Sequence, residues 1–453
     1  MKSVCSGNDL TQGSIAKGVV LFALPLLGSS VVQQLYATVD LLFVGNVLGS
    51  GPLAAVGIST LLISCLIGFF VGLSVGVNVV IARFFGRGLA EDVARAIHTA
   101  MLLGVLGGIT LAALGIVIAP YYLQLMATPR EIYTDALCYL QIYFLSMVSV
   151  VLYNQAAGIF RGIGDSITPL IAQIAGGIFN IGMNAFFLIV LEYGIAGSAY
   201  ATFISQSVAA GILLCKLISH PIFRLRFSEL KLHKDIVQGI LLIGIPTGLQ
   251  SLVITLSNVF IQHHIDLLGT STIAAFSAYF KIELPIYYAI VSLGQAATTY
   301  VAQNHAAGLE KRARKATSIC LMLGLGVSII LAGVLLAFGQ WAFWVFSQDT
   351  AVIAIGVSII TITFPCYWIY VFLEVFAGSI RGRGNSVGPM IIILANICIL
   401  RTVLLGILST FGATVEDIAW LYPVTWLSTS VCMAVCYGVV INKKVPRISK
   451  CAK

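Results

Sequence analysis

The sequence predicts an all-α integral membrane protein whose twelve transmembrane helices form two parallel-repeat six-helix lobes around a central cleft. Three observations carry this prediction. Of the 453 residues, 59% are hydrophobic and only 9% are charged, whereas a soluble domain carries about 25% charged residues. The apolar residues fall into runs of about 20, the length that crosses a bilayer as helix, separated by short polar loops. Finally, the chain repeats itself. Arg161, Gly162, Gly164, Ser166 and Pro169 of "GIFRGIGDSITP" return as Arg381, Gly382, Gly384, Ser386 and Pro389, each 220 positions on.

The runs place spans at 18–44, 53–78, 93–118, 134–158, 167–190, 194–218, 236–266, 277–303, 315–338, 354–379, 387–409 and 418–442. The first is too long and too polar at its centre for a cleaved signal peptide. Of the 25 Lys and Arg, 22 lie at the termini or in and beside loops 2–3, 4–5, 6–7, 8–9 and 10–11. The opposite loops carry Glu131, Glu192, Asp266, Asp349, Glu416 and Asp417. That asymmetry predicts both termini and the basic loops in the cytoplasm. It also accounts for the net charge of +8 without a nucleic-acid partner. The ten Cys are scattered singly, and Cys432 and Cys436, four apart, have no His or carboxylate at ligand spacing. His263–His264 reads as interfacial. "RGIGD" lacks the Lys and Ser/Thr of a phosphate loop, so nothing points to an enzyme or a cofactor.

The 220-residue displacement recurs. Gly49 and Ala54–Ala55 return as Gly269 and Ala274–Ala275, and Ala82, Gly88 and Leu89 as Ala302, Gly308 and Leu309. Pro25 finds Pro246, one residue out of register. Each half holds six helices. Because six is even, both halves enter the membrane from the same side and are related by an axis along its normal. The expected organisation is an N-terminal lobe (1–218), a basic cytoplasmic linker (219–235) and a C-terminal lobe (236–453). Two like-oriented bundles facing across a cleft suit alternating access, the mechanism of secondary transporters. The 44 glycines fit close helix approach in lipid.

The six-plus-six plan, "QQLYATVDLLFVGNVLG" in the first helix and the paired "RG-x-G-x-S" loops resemble the multidrug and toxic compound extrusion (MATE) family along the whole chain. The resemblance implies a secondary antiporter that exports amphipathic, mostly cationic small organic molecules in exchange for H⁺ or Na⁺, without a cofactor. Its partners would be organic cations and membrane lipid, and it is expected to act as a monomer. The wider superfamily includes flippases of lipid-linked oligosaccharides, so export of a lipid-linked or other specific metabolite is the alternative. Those relatives often add helices or a strongly cationic cavity, whereas few cations lie within the spans here.

Function is expected where the halves stop matching. Asp40, the lone carboxylate of helix 1, has apolar Phe260 or Ile261 as its counterpart. Asn180 and Asn184 share one face of helix 5, and their counterparts are Leu400 and Leu404. At 1.5 Å per residue these Asn residues lie roughly 20–26 Å up from the cytoplasmic side, and Thr202 of helix 6 roughly 12 Å below the outer surface. All three can therefore meet Asp40 at one level. An ionisable group in hydrocarbon costs several kcal/mol unless paired or hydrated. Either a proton at Asp40 or Na⁺ among these oxygens would use it, and stapling helix 1 to helix 5 is the plainer alternative. The resemblance implies that Asp40 carries cation coupling and that Asn180, Asn184 and Thr202 surround it. In some members the position of Asn184 is an Asp. The Asn here removes one negative charge and puts H⁺ ahead of Na⁺.

Pro25 interrupts one helical hydrogen bond and reads as a hinge for helix 1 or as a passive kink. In the second lobe, Glu283 and Lys281 fall in helix 8 and Arg401 in helix 11. Arg401 is expected either to pair with Glu283 or to leave it free to attract cationic drugs. Glu374, seven residues before Arg381, suits a gate or an end-of-helix ion pair. Ile254 occupies the apolar middle of helix 7, where some family members place a second coupling carboxylate, and Glu374 does not clearly match their helix 10 position. Tyr36, Tyr139 and Tyr143 are candidate aromatic faces for an organic cation or, as plain packing residues, part of the core.

Overall fold

The computed structural model describes residues 9–442, and every regular element among them is helical. Eleven long apolar segments run Ile15–Leu48 (α1), Ser50–Gly86 (α2), Ala90–Leu125 (α3), Arg130–Gly162 (α4), Ile167–Val190 (α5), Gly194–Ile218 (α6), Lys234–Asp266 (α7), Glu310–Ala337 (α9), Thr350–Gly382 (α10), Val387–Thr410 (α11) and Val415–Asn442 (α12). The eighth expected span is present but broken. It runs as Thr270–Ile282 and then Leu284–Ala306, with Glu283 at the joint; together these are α8. The cause is Pro285, which has no N–H to offer the Lys281 carbonyl and whose ring crowds that turn. The linker includes one short 3₁₀ turn, Phe227–Glu229, and is strapped to α3 by the Thr99 hydroxyl donating to Lys231 O at 3.0 Å.

The repeated glycines serve repeated turns. At the end of α4, Gly164 N–H donates to Arg161 O at 3.0 Å and Asp165 N–H to Phe160 O at 2.8 Å. At the end of α10, Gly384 N–H donates to Arg381 O at 2.7 Å and Asn385 N–H to Ile380 O at 3.2 Å. This helix-ending turn requires a left-handed residue, and Gly164 and Gly384 supply it with φ of +91° and +84°.

The two lobes exchange the bases of their first helices. Ile15, Val19, Phe22, Ala23 and Leu26 of α1 are buried in the C-terminal core, where Phe22 meets Tyr300 edge-on at 6.2 Å. Reciprocally, Ile236, Ile240 and Ile243 of α7 belong to the N-terminal core. Between the lobes α2 lies directly on α7, because glycines face one another there. A Cβ on Gly248 would come within 2.7 Å of Phe69 O, and one on Gly244 within 2.9 Å of the Leu73 backbone.

Polar contacts close the same end. Asn78 and Thr299 exchange hydrogen bonds at 3.0 and 3.2 Å, Arg161 donates to Gln295 at 3.1 Å, and Gln303 donates to Gly162 O at 2.8 Å. The turn preceding α1 completes the closure. Leu10 is buried in the C-terminal core with its N–H donating to Gln303, while Arg312 of α9 donates to the carbonyls of Gly13 and Gln12 at 3.2 and 3.1 Å. The lobes thus meet at the end that carries the basic loops.

Candidate functional site

The polar cluster on α1 begins one turn below Asp40. Tyr36 is buried, and its hydroxyl donates to Gln173 O at 2.5 Å. Its ring lies on Gly177, where a Cβ would come within 2.6 Å of it. This contact docks α1 on α5 and brings Asp40 level with the α5 amides. Asn180 Nδ2 donates to Asp40 Oδ1 at 3.0 Å, Asn184 Nδ2 to the same oxygen at 2.6 Å, and the Thr202 hydroxyl of α6 to Oδ2 at 3.1 Å. The structure therefore brings together all four residues that the sequence singled out.

Asp40 is half-buried, while Asn180, Asn184 and Thr202 are buried. The three donors are neutral, so they stabilise an ionised carboxylate by hydrogen bonding alone. Both amide oxygens, Asn180 Oδ1 and Asn184 Oδ1, are buried without a hydrogen-bond partner among the described residues. Unpaired buried acceptors are costly. Here they leave the site with oxygen atoms to offer a proton donor or a cation. Among the described residues, no three His, Cys, Asp or Glu side chains converge as a metal-binding group.

The three candidate aromatics border this cluster and not the C-terminal cavity. Tyr139 is buried in the N-terminal core beside half-buried Tyr143, their rings 5.8 Å apart. Tyr36 is taken up by docking α1. Pro25 lies inside continuous α1, at the upper end of the stretch whose inner face enters the C-terminal core and below the stretch held on α5.

In the C-terminal lobe, Glu374 and Arg381 form a buried ion pair at 3.2 Å, packed on Gly294 of α8. The alternative pairing of Arg401 with Glu283 does not form among the described residues. Glu283 accepts a 2.5 Å hydrogen bond from Tyr367, while Arg401 donates to Thr425 at 3.1 and 2.8 Å and lies 4.8 Å from the centre of the Tyr422 ring. Both nevertheless line one cavity of about 380 Å³, with Lys281, Tyr287, Tyr370 and Trp426 in its wall and Gln34 of α1 at its edge. Reading the sequence alone missed this aromatic wall. Its signal was the spacing of Tyr367 and Tyr370 and of Tyr422 and Trp426, which puts each pair on one helix face.

The MatE family pattern matches twice, at residues 25–186 and 246–407, once in each half. The chain belongs to the MatE family. Relatives span nearly the same length. The probable multidrug resistance protein YpnP of Bacillus subtilis is 26% identical over 400 residues, covering 87% of this chain and 88% of its own. A second B. subtilis relative, the probable multidrug resistance protein YoeA, is 26% identical over 397 residues, covering 84% of each. Among solved structures, an outward-facing multidrug resistance MATE transporter superposes with a TM-score of 0.90 at 19% identity, over 96% of this chain and 98% of that one. This MatE protein is a multi-pass membrane transporter and not an enzyme.

Proposed function

We propose that the protein is a secondary antiporter of the bacterial plasma membrane that exports amphipathic, mostly cationic small organic molecules in exchange for a cation taken up at Asp40. The observation that carries this reading is the Asp40 carboxylate held by three neutral donors inside one lobe. H⁺ is the coupling ion that fits first, because both amides present N–H groups to Asp40. When Asp40 takes up a proton it gains a donor, and the unpartnered oxygens of Asn180 and Asn184 supply acceptors once the amides turn. The same turn would offer Na⁺ amide, hydroxyl and carboxylate oxygens, the ligands a hard cation prefers.

The path from site to gate runs along α1. Its upper part is held on α5 by Tyr36 and Asp40, and its base is buried against α8 of the other lobe. A changed hydrogen-bond set at Asp40 alters the hold on α5, Pro25 permits α1 to bend, and the base of α1 passes the change to the lobe contacts. With the termini and basic loops in the cytoplasm, the lobe contacts seal the cytoplasmic end and the cleft faces outward. Rocking then exchanges the two openings.

The test is ethidium efflux from vesicles containing purified protein, with ΔpH and a Na⁺ gradient imposed separately, for wild type and Asp40→Asn. Efflux driven by ΔpH and lost in the variant is expected; undiminished efflux by folded Asp40→Asn protein would sink the role of Asp40. Absence of efflux under either gradient would shift the reading to a flippase or exporter of one metabolite, for which Arg401 and Lys281 on the cavity speak.

A further inference from the structure

Arg401 is a costly side chain to bury in the C-terminal lobe. It is 3% exposed, lies in a membrane span and has no carboxylate partner among the described residues. A buried guanidinium without an anion is strongly disfavoured. It offers five N–H donors, yet Nε and Nη2 share the single Thr425 hydroxyl, and no partner for Nη1 is found among the described residues. Its counterpart in the first half is apolar Ile181, and that of Glu283 is Ile63, so the polar set is present in the second half alone. A widened π-helical turn, Leu394–Leu400, leads directly into Arg401 and resets the face it occupies.

We propose that the C-terminal cavity is a binding site for a small aromatic organic anion. Its acid group pairs with Arg401, and its rings pack among Tyr287, Tyr370 and Trp426. The charge balance gives the sign. Buried Arg401 and exposed Lys281 face one carboxylate, Glu283, leaving one net positive charge on the wall; protonation of Glu283 would only add to it. A monoanion neutralises this wall, whereas an organic cation would meet two like charges. The aromatic wall gives the class. Tyr370 lies 5.4 Å from Trp426 and 5.9 Å from Tyr287, ring centre to ring centre. The cavity, about 380 Å³, suits a two-ring body at the small end of ligand pockets. A carboxylate can take two parallel N–H bonds from guanidinium, which Thr425 cannot. This site goes beyond the antiport reading and does not depend on Asp40.

The experiment is calorimetric titration of purified full-length protein with 1-naphthoate and with the matched cation 1-naphthylmethylammonium, for wild type, Arg401→Gln and Arg401→Lys. Wild type is expected to bind naphthoate saturably and at least about tenfold more tightly than the cation. Arg401→Gln should lose about tenfold or more in naphthoate affinity, with Arg401→Lys in between. Equal or reversed preference in wild type, no saturable naphthoate binding, or folded Arg401→Gln within about twofold of wild type would each overturn the proposal. Should Arg401→Gln fail to fold, the wild-type charge preference and Lys281→Gln, exposed at the rim and expected to weaken naphthoate about threefold, still decide it. No ion gradient enters the measurement, so its failure and failure of coupling at Asp40 are separable.

Discussion

The two lobes share a chain plan and carry opposite chemistry. In the first, a carboxylate on α1 is held by neutral donors from α5 and α6. In the second, a guanidinium on α11 and a carboxylate at the α8 break face an aromatic wall. The contrast is sharpest along one pair of helices. Asn180 and Asn184 of α5 become Leu400 and Leu404 of α11, while Ile181 becomes Arg401. What the halves kept are positions that the backbone dictates, such as the left-handed Gly164 and Gly384. Where they differ is in the side chains of the Asp40 cluster and of the C-terminal cavity. On the proposed reading, duplication supplied two frames for rocking, and each lobe serves a different ion.

The largest expected effect comes from separating the lobes where they touch. Gly76 of α2 lies so near α7 that a Cβ would come within 2.9 Å of Gly244 N. Gly76→Val should hold the basic-loop end open. Efflux should fall by about tenfold or more, and a cysteine placed at Asn78 should become labelled far faster than in the Gly76 parent. Slow labelling with full transport would show that the two lobes do not seal there. Next comes Asn184→Leu, which gives the first lobe the residue of the second. It removes a charge-assisted hydrogen bond at 2.6 Å, a loss of about 1.5–3 kcal/mol. Because that bond favours the ionised carboxylate, proton-driven ethidium efflux should then reach half its maximal rate at a proton concentration lower by about tenfold or more, with naphthoate affinity unchanged. An unchanged cation requirement would reduce Asn184 to a packing residue.

These contrasts were unevenly legible in the sequence. The α5 and α6 spans begin and end where the apolar runs do. The Asp40 cluster was readable because helical spacing fixes which residues share a level, and because comparing the halves exposes what only one of them has. The cavity was not. Aromatics at helical spacing look the same whether they pack a core or line a wall, and the reach of Arg401 depends on the wide turn before it. The exchange of the α1 and α7 bases between lobes left no trace either, since an apolar face does not specify which core it enters. The break at Glu283 was announced only by Pro285.

A smaller effect tests the asymmetry of the termini. The turn before α1 is pinned by Arg312, whereas the corresponding entry to α7 is the linker held on α3. Arg312→Ala removes hydrogen bonds to the Gly13 and Gln12 carbonyls, leaving the buried Leu10 as the remaining anchor. The sealed state should be weakened by about 1–2 kcal/mol. That appears as a few-fold faster labelling of a cysteine at Thr11 and a modest change in efflux rate. Labelling as slow as in the parent would mean that Leu10 alone holds the turn.

The smallest effect distinguishes docking from substrate contact at Tyr36. Its hydroxyl spends its proton on Gln173 O, and its ring is enclosed by α5 glycines. Tyr36→Phe keeps the ring and removes one neutral hydrogen bond, so it should cost about 1 kcal/mol, read as a small fall in the thermal unfolding midpoint. Drug affinity should stay within about twofold of wild type, because a ring that packs helix on helix has no free face for an organic cation. A change in which drugs are exported, with the unfolding midpoint unmoved, would reverse that placement. It would make α1 a wall of the substrate path as well as the lever between the lobes.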